Sequence, residues 1–273
     1  MNNIKEAILH YWRTHPQFAE EARATGVDIE SGQLPVRGVM FDMDGVLFDS
    51  MPYHAVAWSK VCTEYGLAMT EEEVYMNEGR TGFSTINWLT MRQWGRETTQ
   101  EEVEHIYQLK CDVFNQFPPA PKMPGAESVM EQIRHSGRTI MVVTGSGQAS
   151  LLDRLTTNYP GFFSPELIVC SHDVNHGKPN PEPYLIGLKK LGAAINPDHS
   201  PLRPWEALVV ENAPLGVRAG VAAGVFTIAA NTGPLPESAL LDEGANLLFP
   251  SMQAFSDAWG EMEKEISSHS TRS

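Results

Sequence analysis

From Pro35 onward the chain carries short, nearly continuous apolar runs. They are VRGVMFD (36–42), RTIMVVTGS (138–146), ELIVCS (166–171), ALVVEN (207–212) and VFTIAAN (225–231), and most end in small or polar residues. Stretches with helical character separate them, roughly over 125–136, 148–158, 181–191 and 214–223. Strands apolar on both faces that alternate with helices predict a parallel sheet covered on both sides. The expected fold is α/β, a doubly wound, Rossmann-like parallel sheet.

The alternation breaks between the first two runs. Residues 53–66, 70–79, 84–95 and 99–117 read as consecutive helices, and a proline-rich stretch, PPAPKMPG, follows them. A helical insert closed by a stiff linker predicts a cap domain over 50–121, inserted into a core made of 31–49 and 122–273. Residues 1–30 stand apart as a helical extension. There Ile4, Ile8, Leu9 and Trp12 share one helical face and predict packing on the main body or on a partner chain.

Composition narrows the function. The 273 residues, 42% hydrophobic and 20% charged, suit a globular enzyme with one large core and a smaller insert. No apolar run approaches the about 20 residues of a membrane span. The start of the chain lacks the basic and small-residue signature of a secretory signal, and Cys62, Cys111 and Cys170 have no metal-ligand spacing, so a reducing cytoplasm is the expected location. A net charge of −14 argues against nucleic acid as a partner. An acidic protein that acts on an anion has to build a local positive site, and a divalent cation with one or two basic side chains would do so.

The strand ends carry the candidate chemistry. Ligands of open parallel sheets bind beyond the carboxyl ends of the strands. Asp42 and Asp44 end the first strand two positions apart, so both carboxylates can face one cavity. Thr144, Gly145 and Ser146 end the second run and open a helix, where backbone N–H groups and hydroxyls can meet an anion. Lys178 lies in HGKPNPEPY, and Glu211 and Asn212 end ALVV. Together these groups supply paired carboxylates, an anion cradle and a cation, the set that phosphoryl transfer needs.

The strings FDMDGVLFDS, VVTGS, GKPNPEPY and VVENAPLGVRAGVAAG resemble the four motifs of the haloacid dehalogenase superfamily. The helical insert resembles the small cap of its β-phosphoglucomutase-like members. The longer strings FDMDGVLFDSMPYHA, EGRTG, MVVTGSGQ and ENAPLGV are similar to a bacterial inorganic pyrophosphatase branch. The resemblance implies an aspartyl-phosphate on Asp42, with Asp44 as general acid and base. It implies Mg²⁺ held by Asp42, the Asp44 carbonyl and the Glu211–Asn212 pair. Thr144, Gly145 and Ser146 would hold phosphoryl oxygens, and Lys178 would neutralise charge. The subfamily more often has a carboxylate at position 212. Asn212 keeps an oxygen ligand with one charge fewer, which implies weaker Mg²⁺ binding.

The cap loop EGRTGFST (78–85) is expected to face the leaving group. The sugar-phosphate mutases have an arginine where this chain has Gly82, counting from Thr81, so the grip on a distal phosphate is missing. Glu78 would narrow the site, Arg80 or Lys110 would supply compensating charge, and His54 would hydrogen-bond the leaving phosphate. The first expected activity is Mg²⁺-dependent hydrolysis of inorganic pyrophosphate. The alternative is a β-phosphoglucomutase or small sugar-phosphate phosphatase, and a non-catalytic phosphate-binding module is a second alternative. The partner expected is thus pyrophosphate or another small phosphorylated substrate.

Overall fold

The computed structural model describes residues 3–147 and 149–266. Six parallel strands form one sheet: β1 (Gly38–Phe41), β2 (Thr139–Val143), β3 (Ile168–Val169), β4 (Ala207–Glu211), β5 (Phe226–Ala230) and β6 (Leu247–Phe249), in the spatial order β3-β2-β1-β4-β5-β6. The strands were legible because they are buried on both faces. Val39 and Phe41 pack to one side with Leu208 and Val210, while Met40, Met141, Val143 and Val209 pack to the other. The fold is the expected doubly wound α/β sheet.

Two N-terminal helices, α1 (Ile4–Thr14) and α2 (Pro16–Ala24), precede β1. They pack on the body of the same chain. Tyr11 donates from its hydroxyl to the Gly224 carbonyl at 2.8 Å, and the Phe18 and Trp205 rings lie 5.3 Å apart. Ile4, Ile8 and Trp12 are buried as the periodicity predicts, and Tyr11 joins them, whereas Leu9 is only half-buried.

Among the described residues five helices fall between β1 and β2, and the first four make up the helical insert: α3 (Met51–Glu64), α4 (Glu71–Met76), α5 (Gly82–Trp94) and α6 (Gln100–Phe114). Threonines start three of them. Thr70 and Thr99 accept from the N–H groups of Glu73 and Glu102 in capping boxes, and Thr81 accepts from that of Ser84. The core continues with α7 (Ala126–His135), α8 (Ala149–Asn158), α9 (Glu182–Ile195), α10 (Pro214–Ala222), α11 (Ser238–Leu241) and α12 (Met252–Glu265). Gln148, where the sequence reading begins α8, lies outside the described residues. Helices α9 and α10 cover one face of the sheet, and α7 and α12 the other. Among the described residues no helix is long and apolar enough to cross a membrane.

The topology places the site. The chain leaves β1 for β2 and β3 on one side, then returns to β4 on the other, so the order reverses at β1. Phe41 is in register with Val142 of β2 and Val210 of β4. The residues that follow these partners therefore emerge side by side.

Candidate active site at the carboxyl ends of β1, β2 and β4

Asp42 follows β1 and is almost completely buried; its N–H donates to the Val210 carbonyl at 3.0 Å. Lys178 reaches it from the loop ahead of α9. Its ammonium donates to Asp42 Oδ1 at 2.5 Å, Glu211 Oε1 at 2.6 Å and the Val143 carbonyl at 2.9 Å. An ammonium has three donors, and all three are used. Burial would strip the Lys178 charge, but the Asp42 and Glu211 carboxylates outweigh it and hold the proton on well above the ordinary lysine range. Burial acts on Asp42 in the opposite sense. With help from the Glu211 and Asp44 charges, and against the pull of Lys178, it pushes the Asp42 carboxyl up to about 8.

Asp44 sits in a different setting. Burial would raise it as well, but the electrostatic pull of His54, the hydrogen bonds from His54 and Ser50, and Lys110 beyond bring it below the usual carboxylate range. Ser50 Oγ donates to Asp44 Oδ1 at 2.6 Å, and His54 Nε2 lies 3.3 Å from the same oxygen. On its other side His54 Nδ1 is 2.8 Å from Lys110 Nζ. Lysine nitrogen donates, so Nδ1 accepts and the ring proton sits on Nε2, directed at Asp44. Both ring nitrogens are engaged inside the protein. His54 therefore links Lys110 to Asp44, and the hydrogen bond expected to the leaving phosphate has no free ring nitrogen to make it.

Asp44, His54, Glu78, Arg80, Lys110 and Ser146 are among the residues around a cavity of ≈ 40 Å³, which is room for a few water molecules at about 10–15 Å³ each. Glu78 is half-buried where it lines this space, and burial together with the Asp44 and Asp42 charges raises its carboxyl well above the ordinary value. Arg80 does not pair with it. Its guanidinium donates instead to Asn77 Oδ1 at 3.0 Å and Ser84 Oγ at 3.2 Å. Lys110 is buried, with its ammonium 5.0 Å from the Phe114 ring centre. Gly82 lies under the Tyr107 ring, whose carbons stand 2.1–2.2 Å from where a Cβ would be. An arginine at this position would have to displace that ring.

The expected phosphate cradle, Thr144 to Ser146, lies beside the cap loop. The Ser146 N–H donates to Thr144 Oγ1 at 3.0 Å. A Cβ on Gly145 would stand 2.6 Å from the Gly79 carbonyl oxygen and 2.9 Å from that of Arg80. Only a glycine lets the core loop approach the cap backbone so closely.

Just past β1 and β4, two buried oxygens have no hydrogen-bond partner among the described residues, Asp42 Oδ2 and Asn212 Oδ1. Orphaned buried oxygens next to an acidic cluster fit a hard divalent cation such as Mg²⁺, which takes carboxylate, amide and carbonyl oxygens. Glu211 offers no such vacancy. Oε1 accepts from Lys178 and from the Tyr184 hydroxyl, and Oε2 from the N–H groups of Asn212 at 3.0 Å and Ala213 at 3.4 Å. Of the expected pair, only Asn212 has an oxygen left for a metal. Asn212→Asp adds a full charge there, so Mg²⁺ should bind about tenfold more tightly by titration calorimetry; unchanged affinity would place the metal elsewhere.

Sequence reasoning missed Ser50 and Tyr184. Ser50 ends FDS, six residues after Asp44, and Tyr184 closes the GKPNPEPY string; both were on the page as polar groups beside motif residues.

Residues 39–230 match the family description "Haloacid dehalogenase-like hydrolase". The chain is 30% identical over 197 residues to hexitol phosphatase A of Escherichia coli (strain K12), covering 71% of this chain and 83% of that protein. It is 26% identical to the phosphorylated carbohydrates phosphatase of Thermotoga maritima over 212 residues, 77% of this chain and 92% of that one. A solved structure described as "Putative beta-phosphoglucomutase from Bacteroides vulgatus" is 50% identical, with a TM-score of 0.85 over 97% of this chain and 99% of that one. These names concern sugars and carbohydrates. They give no support to the pyrophosphatase resemblance and fit the sugar-phosphate alternative better.

Proposed function

The chain belongs to the haloacid dehalogenase-like hydrolases, and on that footing we propose that it is a Mg²⁺-dependent phosphatase of small phosphorylated sugars or polyols. The observation that carries this reading is the setting of Asp42: one oxygen is clamped by a fully engaged lysine, and the other is buried without a hydrogen-bond partner, as is Asn212 Oδ1.

Asp42 attacks phosphorus and becomes an aspartyl-phosphate. Asp42, the Asp44 carbonyl and Asn212 would hold Mg²⁺, which would supply positive charge against the repulsion between carboxylate and phosphate. Lys178 adds a second positive charge on the opposite oxygen of Asp42. Thr144, Gly145 and Ser146 receive the phosphoryl oxygens. Asp44, ionised before substrate binds, takes up a proton as the phosphate's negative charge comes beside it, passes that proton to the leaving oxygen, and then takes one from the water that cleaves the intermediate, help worth about 10²–10⁴-fold. Ser50 and His54 hold its carboxylate in place for both steps. A cap closed over so small a space keeps other water out.

A second reading, pyrophosphate as substrate, is favoured by the ≈ 40 Å³ cavity and by Glu78 and Tyr107 within its lining. A phosphate leaving group needs less room than a sugar. The test is Mg²⁺-dependent phosphate release from hexitol, glycerol and hexose phosphates against pyrophosphate, with Asp42→Asn as blank. A sugar or polyol phosphate with the highest kcat/KM supports the first reading, and pyrophosphate ahead by orders of magnitude supports the second. No turnover on any of them would revive the non-catalytic binding module. Glu78→Ala should widen the cavity and raise kcat/KM for the larger sugar phosphates relative to pyrophosphate by about tenfold, since pocket contacts of this size are worth about 1–3 kcal/mol. An unchanged ratio would mean Glu78 does not limit substrate size.

A further inference from the structure

Tyr184 lies in the first turn of α9, six residues beyond Lys178, and is fully buried. Its hydroxyl donates to Glu211 Oε1 at 2.7 Å. The same oxygen takes the Lys178 ammonium at 2.6 Å, and that nitrogen stands 5.1 Å from the centre of the Tyr184 ring. Two more donors, the backbone N–H groups of Asn212 and Ala213, hold Glu211 Oε2. Each carboxylate oxygen thus accepts twice, and the side chain has no rotational freedom left.

We propose that Tyr184 is a positioning residue for phosphoryl transfer: its phenol pins Glu211, and Glu211 pins the Lys178 ammonium on Asp42. This rests on the reading of Asp42 as nucleophile and Lys178 as its cation. Lysine reaches the site on a flexible four-carbon stem, so its nitrogen is placed by what it touches. The Asp42 and Val143 contacts leave one direction open, and Glu211 closes it. Without the phenol, Glu211 Oε1 keeps a single donor and can turn about its carboxylate axis, and Lys178 follows. A misplacement of about 1 Å at a reacting centre costs up to about 10²-fold.

The experiment is Tyr184→Phe, which keeps the ring and removes the hydroxyl. The expected result has three parts. The kcat falls about tenfold while KM moves less than about twofold, because the loss is in alignment and not in substrate binding. The dissociation constant of Mn²⁺ for the substrate-free protein, followed by electron paramagnetic resonance, stays the same, because Glu211 is not a metal ligand. In a Lys178→Met background the added Tyr184→Phe change has no further effect, since the path runs through that lysine. A tyrosine with only a packing role would lower activity equally in both backgrounds. If Tyr184→Phe does not fold, Glu211→Gln takes its place, with the same kcat-against-KM split and the same dependence on Lys178 expected. The inference is overturned by a kcat within twofold of the unaltered protein, by an equal loss in the Lys178→Met background, or by Mn²⁺ binding that weakens in step with kcat. Failure of the underlying reading shows separately, as turnover that survives Asp42→Asn.

Discussion

Asp42→Asn should lower turnover by about 10⁴-fold or more while leaving the fold intact. Asparagine matches aspartate in shape but cannot form the acyl phosphate, so the covalent route closes. Protein stability should change little. Burial already drives the Asp42 carboxyl up to about 8, so a neutral amide suits the position. The Lys178 ammonium keeps Glu211 and the Val143 carbonyl as partners. Phosphate release and thermal unfolding, measured on one preparation, check both parts. Loss of activity together with loss of the folded state would leave the chemistry unproven. Residual activity above about one-hundredth of the original would show that another group attacks phosphorus.

Lys178→Met should be the more damaging change to the protein itself. The ammonium lies between two buried carboxylates, and truncating one partner of a buried ion pair costs about 3–5 kcal/mol. The carboxyls can take up protons, which keeps the cost in that range instead of the much larger cost of bare buried charge. For a chain of this size the melting temperature should fall by roughly 6–20 °C. Turnover should fall about 10²–10³-fold, the usual effect of removing one electrostatic contact to the reacting group. Calorimetric melting and phosphate release read the two effects. An unchanged melting temperature would mean that Lys178 does not neutralise the buried pair, and unchanged turnover would remove it from the mechanism.

Much of this was legible in the chain. The central strands are four or five residues long, apolar on both faces, and end in Asp42, Thr144 or Glu211. Few other folds demand that pattern. β6 was missed because its three residues, Leu247–Phe249, are too short for periodicity to register. The reading also passed over α2 and α12, and recorded only one helix near the N-terminus. At the site, the groups proposed for the chemistry stood at strand ends and could be read as a set. What escaped was who holds whom. Lys110 was read as compensating charge for Glu78, but its place on the buried stripe with Val103, Ile106 and Val113 and its contact with His54 were not seen. The resemblance gave Glu211 as half of a metal-holding pair with Asn212, and its hydrogen bond from the Tyr184 hydroxyl, on a separate helix, went unread. Sequence spacing does not report such contacts, because they join segments 27 residues apart or, for Lys110 and His54, 56 apart. Substrate identity was least legible of all, since it depends on how closely the cap loop meets the core at Gly145 and on where the Tyr107 ring rests over Gly82.

The most direct test of the covalent mechanism is to trap the intermediate. The protein would be mixed with Mg²⁺ and its best substrate, quenched in acid within one turnover, digested, and each carboxylate peptide weighed. A single added phosphoryl group on the peptide that contains Asp42, released by hydroxylamine and absent from Asp42→Asn, is the expected result. Full turnover with no phosphoryl group on any carboxylate would mean that water attacks the substrate directly, and the role given to Asp42 would be wrong.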